Sequence, residues 1–248
     1  MKYCFLIPLY NHSEVIRDVI IELTTFEMPI IVVNDGSESS VAKYLDTLTS
    51  LTPLLTVLHH DKNKGKGAAV QTGFIHADVQ GYDYAIQIDA DGQHSLNDIK
   101  HLLKMSAQFP GALISGNPIY DESVPKHRYW ARYITHVWVY IETLSLSLID
   151  TMCGFRVYPI KDCVALIKEV HLGERMDFDT EIMVRLYWRG VNIKFFPTKV
   201  IYPENGVSHF NAFEDNVLIS WMHTKLFFGM LIRSPILLAR KFIHQKHK

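Results

Sequence analysis

The chain has 248 residues, 48% of them hydrophobic, with 25 Lys+Arg against 26 Asp+Glu. That apolar content excludes wholesale disorder, the sparse Gly and Pro exclude a collagen-like or linker-like chain, and a net charge of −1 argues against a dedicated nucleic-acid binder. Cys4, Cys153 and Cys163 are odd in number and scattered, so they indicate neither a disulfide framework nor a zinc site and fit a reducing, cytosolic setting.

In chain order, Tyr3–Leu9 reads as a buried strand, too soon broken by Pro8 and Asn11 to be a signal peptide. Helical periodicity over 13–25 follows, then strand 29–33, helix 41–48, strand 54–58, helix 67–77, strand 84–88 and helix 96–109. Ser95 and Asp98 give the last helix a capping-box-like start. This alternation predicts an α/β fold: a mostly parallel sheet flanked by helices, whose ligands sit beyond the carboxyl ends of the strands. The segments there are 11–14, 34–37, 61–67 and 89–94; all are polar, and three contain an aspartate.

Beyond Ala112 the pattern changes to an aromatic-rich helix over 129–148, a shorter helix over 177–189 and a strand over 194–202. No repeat, low-complexity tract or linker interrupts the chain. After Asp215 there is no acid, yet Lys225, Arg233, Arg240, Lys241, Lys246 and Lys248 follow among Trp221, Phe227, Phe228, Ile232, Ile236 and Phe242. Lys225, Arg233 and Pro235 interrupt the roughly 20-residue apolar run that a membrane span requires. The tail, 213–248, therefore reads as a basic amphipathic helical segment lying on an anionic membrane surface. A helix packed on the core with a solvated basic end is the plainer alternative.

Asp89 and Asp91 stand two apart at a strand end, where both carboxylates can face one side and offer hard oxygens to Mg2+ or Mn2+. Asp-Gly turn chemistry accounts for such a pair equally simply. Lys62-Asn63-Lys64-Gly65-Lys66-Gly67 offers charge and bare backbone before a helix, which suits phosphate, or is a solvated basic loop. It is not the phosphate loop of nucleotide triphosphatases, because Gly67 stands where Ser or Thr should follow Lys66. A dinucleotide fingerprint after the first strand and a Gly-x-Ser-x-Gly turn are both absent from the sequence.

Ile7-Pro8-Leu9-Tyr10-Asn11, Val33-Asn34-Asp35-Gly36-Ser37, Asn63-Lys64-Gly65-Lys66-Gly67 and Ile88-Asp89-Ala90-Asp91-Gly92-Gln93-His94 occur in the order seen in family 2 glycosyltransferases. The resemblance extends to about Gly206 and is closest to the polyprenyl- and dolichyl-phosphate sugar transferase branch and its small bacterial relatives. It implies a GT-A fold, a UDP- or GDP-linked sugar donor, Mg2+ or Mn2+, and transfer with inversion to a lipid-linked acceptor. The acceptor is a prenyl phosphate or a lipid or glycan hydroxyl. A nucleotide-sugar-binding half over 1–115 and an acceptor half over 116–212 follow from it. By the same resemblance, Pro8, Tyr10 and Glu14 border the base, although Asn11-His12 stands where the family usually reads Asn-Glu. Asp35 holds the base or ribose, Lys66 lies near the nucleotide, and Asp89, Ala90 and Asp91 bind the metal diphosphate. Gln93 is similar to the branch's metal contact.

In the second half, Cys153-Gly154-Phe155-Arg156 resembles the branch's Ser-Gly-Phe-Arg, with Arg156 offered to acceptor phosphate and Cys153 a small buried residue. Asp179 falls in the register of the family's catalytic carboxylate, eleven residues before Gly190, with Glu181 nearby and Arg185 where relatives place an arginine. Asp179 in preference to Glu181 could take a proton from an acceptor hydroxyl, the two standing about 200° apart on a helix and so not sharing one task, or both simply favour the helix's first turn. A prenyl phosphate needs cationic positioning instead, for which Lys126, Arg128 and Arg132 ahead of an aromatic helix are candidates. Gly206-Val207-Ser208-His209 is similar to the motif closing over the donor, making His209 a possible metal ligand. The expectation is an inverting enzyme at the cytoplasmic, inner face of the membrane, peripherally attached, with no nucleic-acid partner. A non-catalytic nucleotide-sugar-binding protein and a haloacid dehalogenase-type phosphatase are the alternatives.

Overall fold

Uncharged runs of Ile, Val and Leu form the centre of the sheet. β1 (Tyr3–Leu9), β2 (Ile30–Asn34) and β4 (Tyr84–Gln87) are buried almost throughout, as strands covered on both faces must be. β3 (Leu55–His59), more open, lies at the edge. The computed structural model describes residues 1–92, 95–119, 126–199 and 211–245, apart from the side chains of 126–131, 212 and 242–245.

Seven strands pair in the order β3-β2-β1-β4-β6-β5-β7, where β5 is Leu113–Ile119, β6 is Arg156–Pro159 and β7 is Ile193–Lys199. Every neighbouring pair is parallel except those of β6, which runs antiparallel to both β4 and β5. On one face α1 (Ile16–Thr24), α2 (Ser39–Leu48) and α4 (Ile99–Gln108) enclose one apolar cluster. On the other, α3 (Lys66–Val79), α5 (Lys126–Thr143), α6 (Ile160–Glu169), α7 (Phe178–Arg189) and α8 (Ala212–Gln245) enclose a second.

The expected mostly parallel sheet, flanked by helices, is therefore present, with ends shifted by a few residues. β5, β6 and α6 are not among the elements expected from the sequence. The anticipated capping box does not form: no side chain caps the turn at Leu96–Asp98, and the Asp98 carboxylate instead accepts a hydrogen bond from Thr198. The strand expected over 194–202 is described only to Lys199.

α8 does not stand apart as a tail. Met222, Leu226, Met230 and Leu237 sink into the second cluster, while Trp221, Phe228, Ile232 and Ile236 stay exposed. At about 100° per residue these sets fall on opposite sides of the helix. Three of its cations also turn inward: Lys225 reaches Glu181, Arg233 lies 4.8 Å over the Trp188 ring, and Arg240 donates to the Tyr187 and Trp188 carbonyls. The segment expected to lie as a basic amphipathic helix thus packs on the core, as in the plainer alternative, with an outward face that is largely apolar among the described residues.

Candidate active site

Strand order reverses around β1, whose neighbours are β2 and β4, so a crevice opens beyond the carboxyl ends of β1 and β4. The fold brings Pro8, Tyr10, Glu14, Lys66, Asp89, Ala90 and Asp91 to this edge. Asn11 adopts φ 54, a left-handed conformation that asparagine tolerates. Its side-chain oxygen accepts from the Glu38 amide and its own amide donates to Ser37, tying the first loop to the turn after β2.

Asp35 is a correction. It is 2% exposed, and its carboxylate accepts from the Lys64 and Gly65 amides at 2.9 and 2.7 Å while pairing with His60 at 2.7 Å. His60 in turn meets the Thr72 hydroxyl at 2.9 Å. With its side chain buried and both oxygens hydrogen-bonded, Asp35 shapes the loop that delivers Lys66 rather than standing open to a base or ribose.

Lys66 is the centre of the site. Its ammonium stands 2.9 Å from Asp89 and 3.0 Å from Asp179, joining the end of β4 to the first turn of α7. Burial alone would lower its pKa, but the Asp179 and Asp89 carboxylates outweigh that effect and hold it above the usual lysine value. Gly67 lets α3 start this close to α7, since a Cβ there would lie 2.4 Å from Phe178 Cβ.

The Cys153–Arg156 motif forms a pedestal beneath the two carboxylates. A Cβ on Gly154 would lie 2.6 Å from Asp89 Oδ2, so the backbone here is pressed against the carboxylate. Arg156 is fully buried in β6 and donates to the Thr151 and Asp179 carbonyls and the Tyr158 hydroxyl. The expected grip of Arg156 on acceptor phosphate is therefore corrected: its guanidinium holds up α7 from below. Burial raises the Cys153 thiol to about 12, so it is a protonated packing group, as anticipated.

Glu181 is likewise no partner to Asp179 in chemistry. It is fully buried on the other side of α7, where it pairs with Arg185 and Lys225 and accepts from the Gly173 amide. Arg132 is paired with Asp150, Nη2 to Oδ2 at 2.7 Å, and the other Asp150 oxygen caps the Met152 and Cys153 amides. Gln93, His209 and the side chains of Lys126 and Arg128 lie outside the described residues.

Beside Lys66 lies a cavity of about 140 Å³. Lys66, Asp177 and Asp179 supply its ionic floor, and Thr135, Met152, Met176, Ile219 and Met222 its walls. Tyr133, Ile134, Val137 and Trp138 of α5 are exposed, as are Trp221, Phe228 and Ile232 of α8. Ring contacts from Trp138 to Phe227 and on to Phe228 join the two apolar faces.

Hard carboxylate oxygens at Asp89 and Asp91 suit Mg2+ or Mn2+, and Asp179 Oδ1 is a buried acceptor without a hydrogen-bond partner. No group of three or more His, Cys, Asp or Glu able to hold a metal exists among the described residues. Asp89 and Asp91 thus offer two hard oxygen donors of the kind a divalent ion takes.

Residues 4–163 match the model of glycosyl transferase family 2. The chain belongs to this family. A dolichyl-phosphate beta-glucosyltransferase of Trichomonas vaginalis is 29% identical over 203 residues, 73% of this chain and 60% of its own length. The chain thus spans less than two thirds of that relative. A UDP-N-acetylglucosamine–dolichyl-phosphate N-acetylglucosaminyltransferase of Methanococcus voltae is 25% identical, covering 92% of this chain and 94% of its own. An undecaprenyl-phosphate mannosyltransferase of Micrococcus luteus is 25% identical over 84% of this chain and 87% of its own.

Among solved structures, glucosyl-3-phosphoglycerate synthase of Mycobacterium tuberculosis with Mn2+, UDP-glucose and phosphoglyceric acid superimposes with TM-score 0.65. The match covers 94% of this chain and 79% of that one at 14% identity, which shows the shared GT-A fold. In this family 2 glycosyltransferase Asp89 and Asp179 meet at Lys66. Its pedestal, Asp150 to Tyr158, and its cavity walls were not read from sequence, because both join residues far apart in the chain.

Proposed function

We propose that this glycosyltransferase transfers a sugar from a UDP- or GDP-linked donor to a prenyl phosphate, with inversion. The observation that carries the acceptor class is the cavity, whose lining joins the charged Lys66, Asp177 and Asp179 to the apolar Met152, Met176, Ile219 and Met222. A phosphate on an aliphatic chain matches both parts, whereas a glycan hydroxyl would require polar walls. The names of the relatives from Trichomonas, Methanococcus and Micrococcus support the same acceptor class.

In this reading Pro8, Tyr10 and Glu14 border the base, and the diphosphate lies toward Lys66, Ala90 and the two strand-end carboxylates. Asp89 and Asp91 would hold Mg2+ or Mn2+, joined by Gln93 and His209; such an ion neutralises the departing diphosphate. Lys66 supplies a fixed cation to the same developing charge. An acceptor phosphate oxygen attacks the anomeric carbon as the bond to the diphosphate breaks, and the nucleoside diphosphate leaves on the opposite side. The acceptor is already anionic at neutral pH, its second pKa being about 6, so no base is required. The geometry is consistent with this, since Asp179 is engaged at 3.0 Å by the Lys66 ammonium. Arg132, with Arg128, would position the acceptor phosphate.

No helix among the described residues is long and apolar enough to cross a membrane. The enzyme is proposed to sit peripherally on the inner membrane face, held chiefly by the apolar side chains of α5 and α8. The test supplies farnesyl phosphate or a soluble sugar acceptor with UDP-glucose, UDP-N-acetylglucosamine and GDP-mannose, each with Mn2+ or with chelator. Metal-dependent formation of a farnesyl phosphosugar is expected. Transfer to the sugar acceptor alone, or donor binding without turnover, would overturn the reading.

A further inference from the structure

Glu181 places a carboxylate at a fully buried position, which is costly unless it is well paired. One oxygen accepts from the Gly173 amide at 2.8 Å, at the start of the loop leading into α7. The other accepts twice from Arg185, at 2.9 and 2.7 Å, and Lys225 of α8 approaches both oxygens at 3.3 and 3.4 Å.

Each end of this network leads to a wall of the cavity. The loop after Gly173 carries Met176 and Asp177, and is braced on α3 by Gln71 donating to the Gly173 carbonyl and by the Ala68 amide donating to Glu174. On α8, Ile219 and Met222 line the opposite wall, with Lys225 one turn further along. The carboxylate therefore fixes, through one charge, the distance between a loop and a helix that touch the same cavity from different parts of the chain.

We propose that Glu181 and Lys225 are positioning residues that set the width of the acceptor cavity. This rests on the reading that the cavity takes the prenyl chain. Neither residue touches the donor side, where Asp89 and Lys66 are held by other contacts. Loosening the pair lets the α8 wall and the Met176 loop separate, which affects acceptor fit more than donor binding.

The test measures farnesyl phosphate and UDP dissociation constants by calorimetry in the presence of Mn2+. Variants are Lys225→Met, Lys225→Arg and Met222→Phe, with Glu181→Gln as a second probe of the same contact. Lys225→Met should weaken farnesyl phosphate binding about tenfold, in line with the cost of small misplacements in a built site. UDP binding should stay within about twofold, and Lys225→Arg should restore the acceptor affinity by keeping the charge. Met222→Phe reports on the underlying reading by filling the cavity directly. If it leaves farnesyl phosphate binding unchanged, the cavity is not the acceptor site and both ideas fall. If it weakens binding while Lys225→Met does not, the positioning role alone is overturned. Equal loss of UDP and farnesyl phosphate binding in Lys225→Met also overturns it, because a general loss of packing would do the same.

Discussion

At Lys66 an ammonium holds two carboxylates that would otherwise repel each other across the crevice. Lys66→Met should lower turnover by at least about a hundredfold, the usual cost of losing one preorganised charge-stabilising group. Steady-state rates with saturating donor and acceptor check this. Gly154→Ala should act on the same centre from below: its methyl group would intrude on Asp89, so Mn2+ dependence should weaken and turnover drop, while the melting temperature changes little. Asp177 gives the pH dependence. Burial raises its carboxyl above the usual aspartate value, so the fold favours the protonated form. That contribution is fully present below the unfolded value and is lost as pH rises through the folded one, leaving a penalty at neutral pH. Asp177→Asn should therefore melt higher than wild type at pH 7, with the difference shrinking toward pH 3; an unchanged gap across that range would contradict the assignment. Asp89 and Asp179 were legible in the sequence because paired acids after an apolar strand, or before a helix, are locally distinctive. Asp35, Arg156 and Glu181 were misread for the opposite reason: their partners lie on other elements, and local pattern does not reveal burial.

The same limit applies to elements. β1 to β4 and α1 to α4 follow one another as clean apolar and periodic runs, and were readable almost to their ends. β5 hid behind Gly116 and Pro118, both poor strand formers. Pro118 is tolerated because β5 pairs with β6 only at Ile114 and Ser115, so on that side the proline has no strand partner among the described residues. β6 has four residues and makes sense only when wedged between two partners. For α8 the sequence suggested charge, and the fold uses much of that charge internally. Vesicle binding should therefore survive 0.5 M salt, which shortens screening to roughly 4–5 Å, and should fail in a Trp221→Ser, Phe228→Ser, Ile232→Ser variant. Co-sedimentation measures both effects; release by salt with no effect of the serines would return the contact to electrostatics.

For the molecule as a whole, the decisive feature is where β6 inserts. A strand made after α5 lies between β4 and β5, so the donor-side and acceptor-side halves share one continuous sheet. This gives the order of assembly on the ribosome. β4 is synthesised early but must wait, its outer edge unpaired, until residues 156–159 emerge and dock against it. An open, apolar edge is a template for the wrong partner. A nascent chain stalled before Arg156 should thus depend on chaperones and, if released, aggregate. The strand that finishes the sheet also brings Gly154 against Asp89 and Arg156 beneath Asp179, so the chain cannot complete its fold without completing the seat of its two carboxylates.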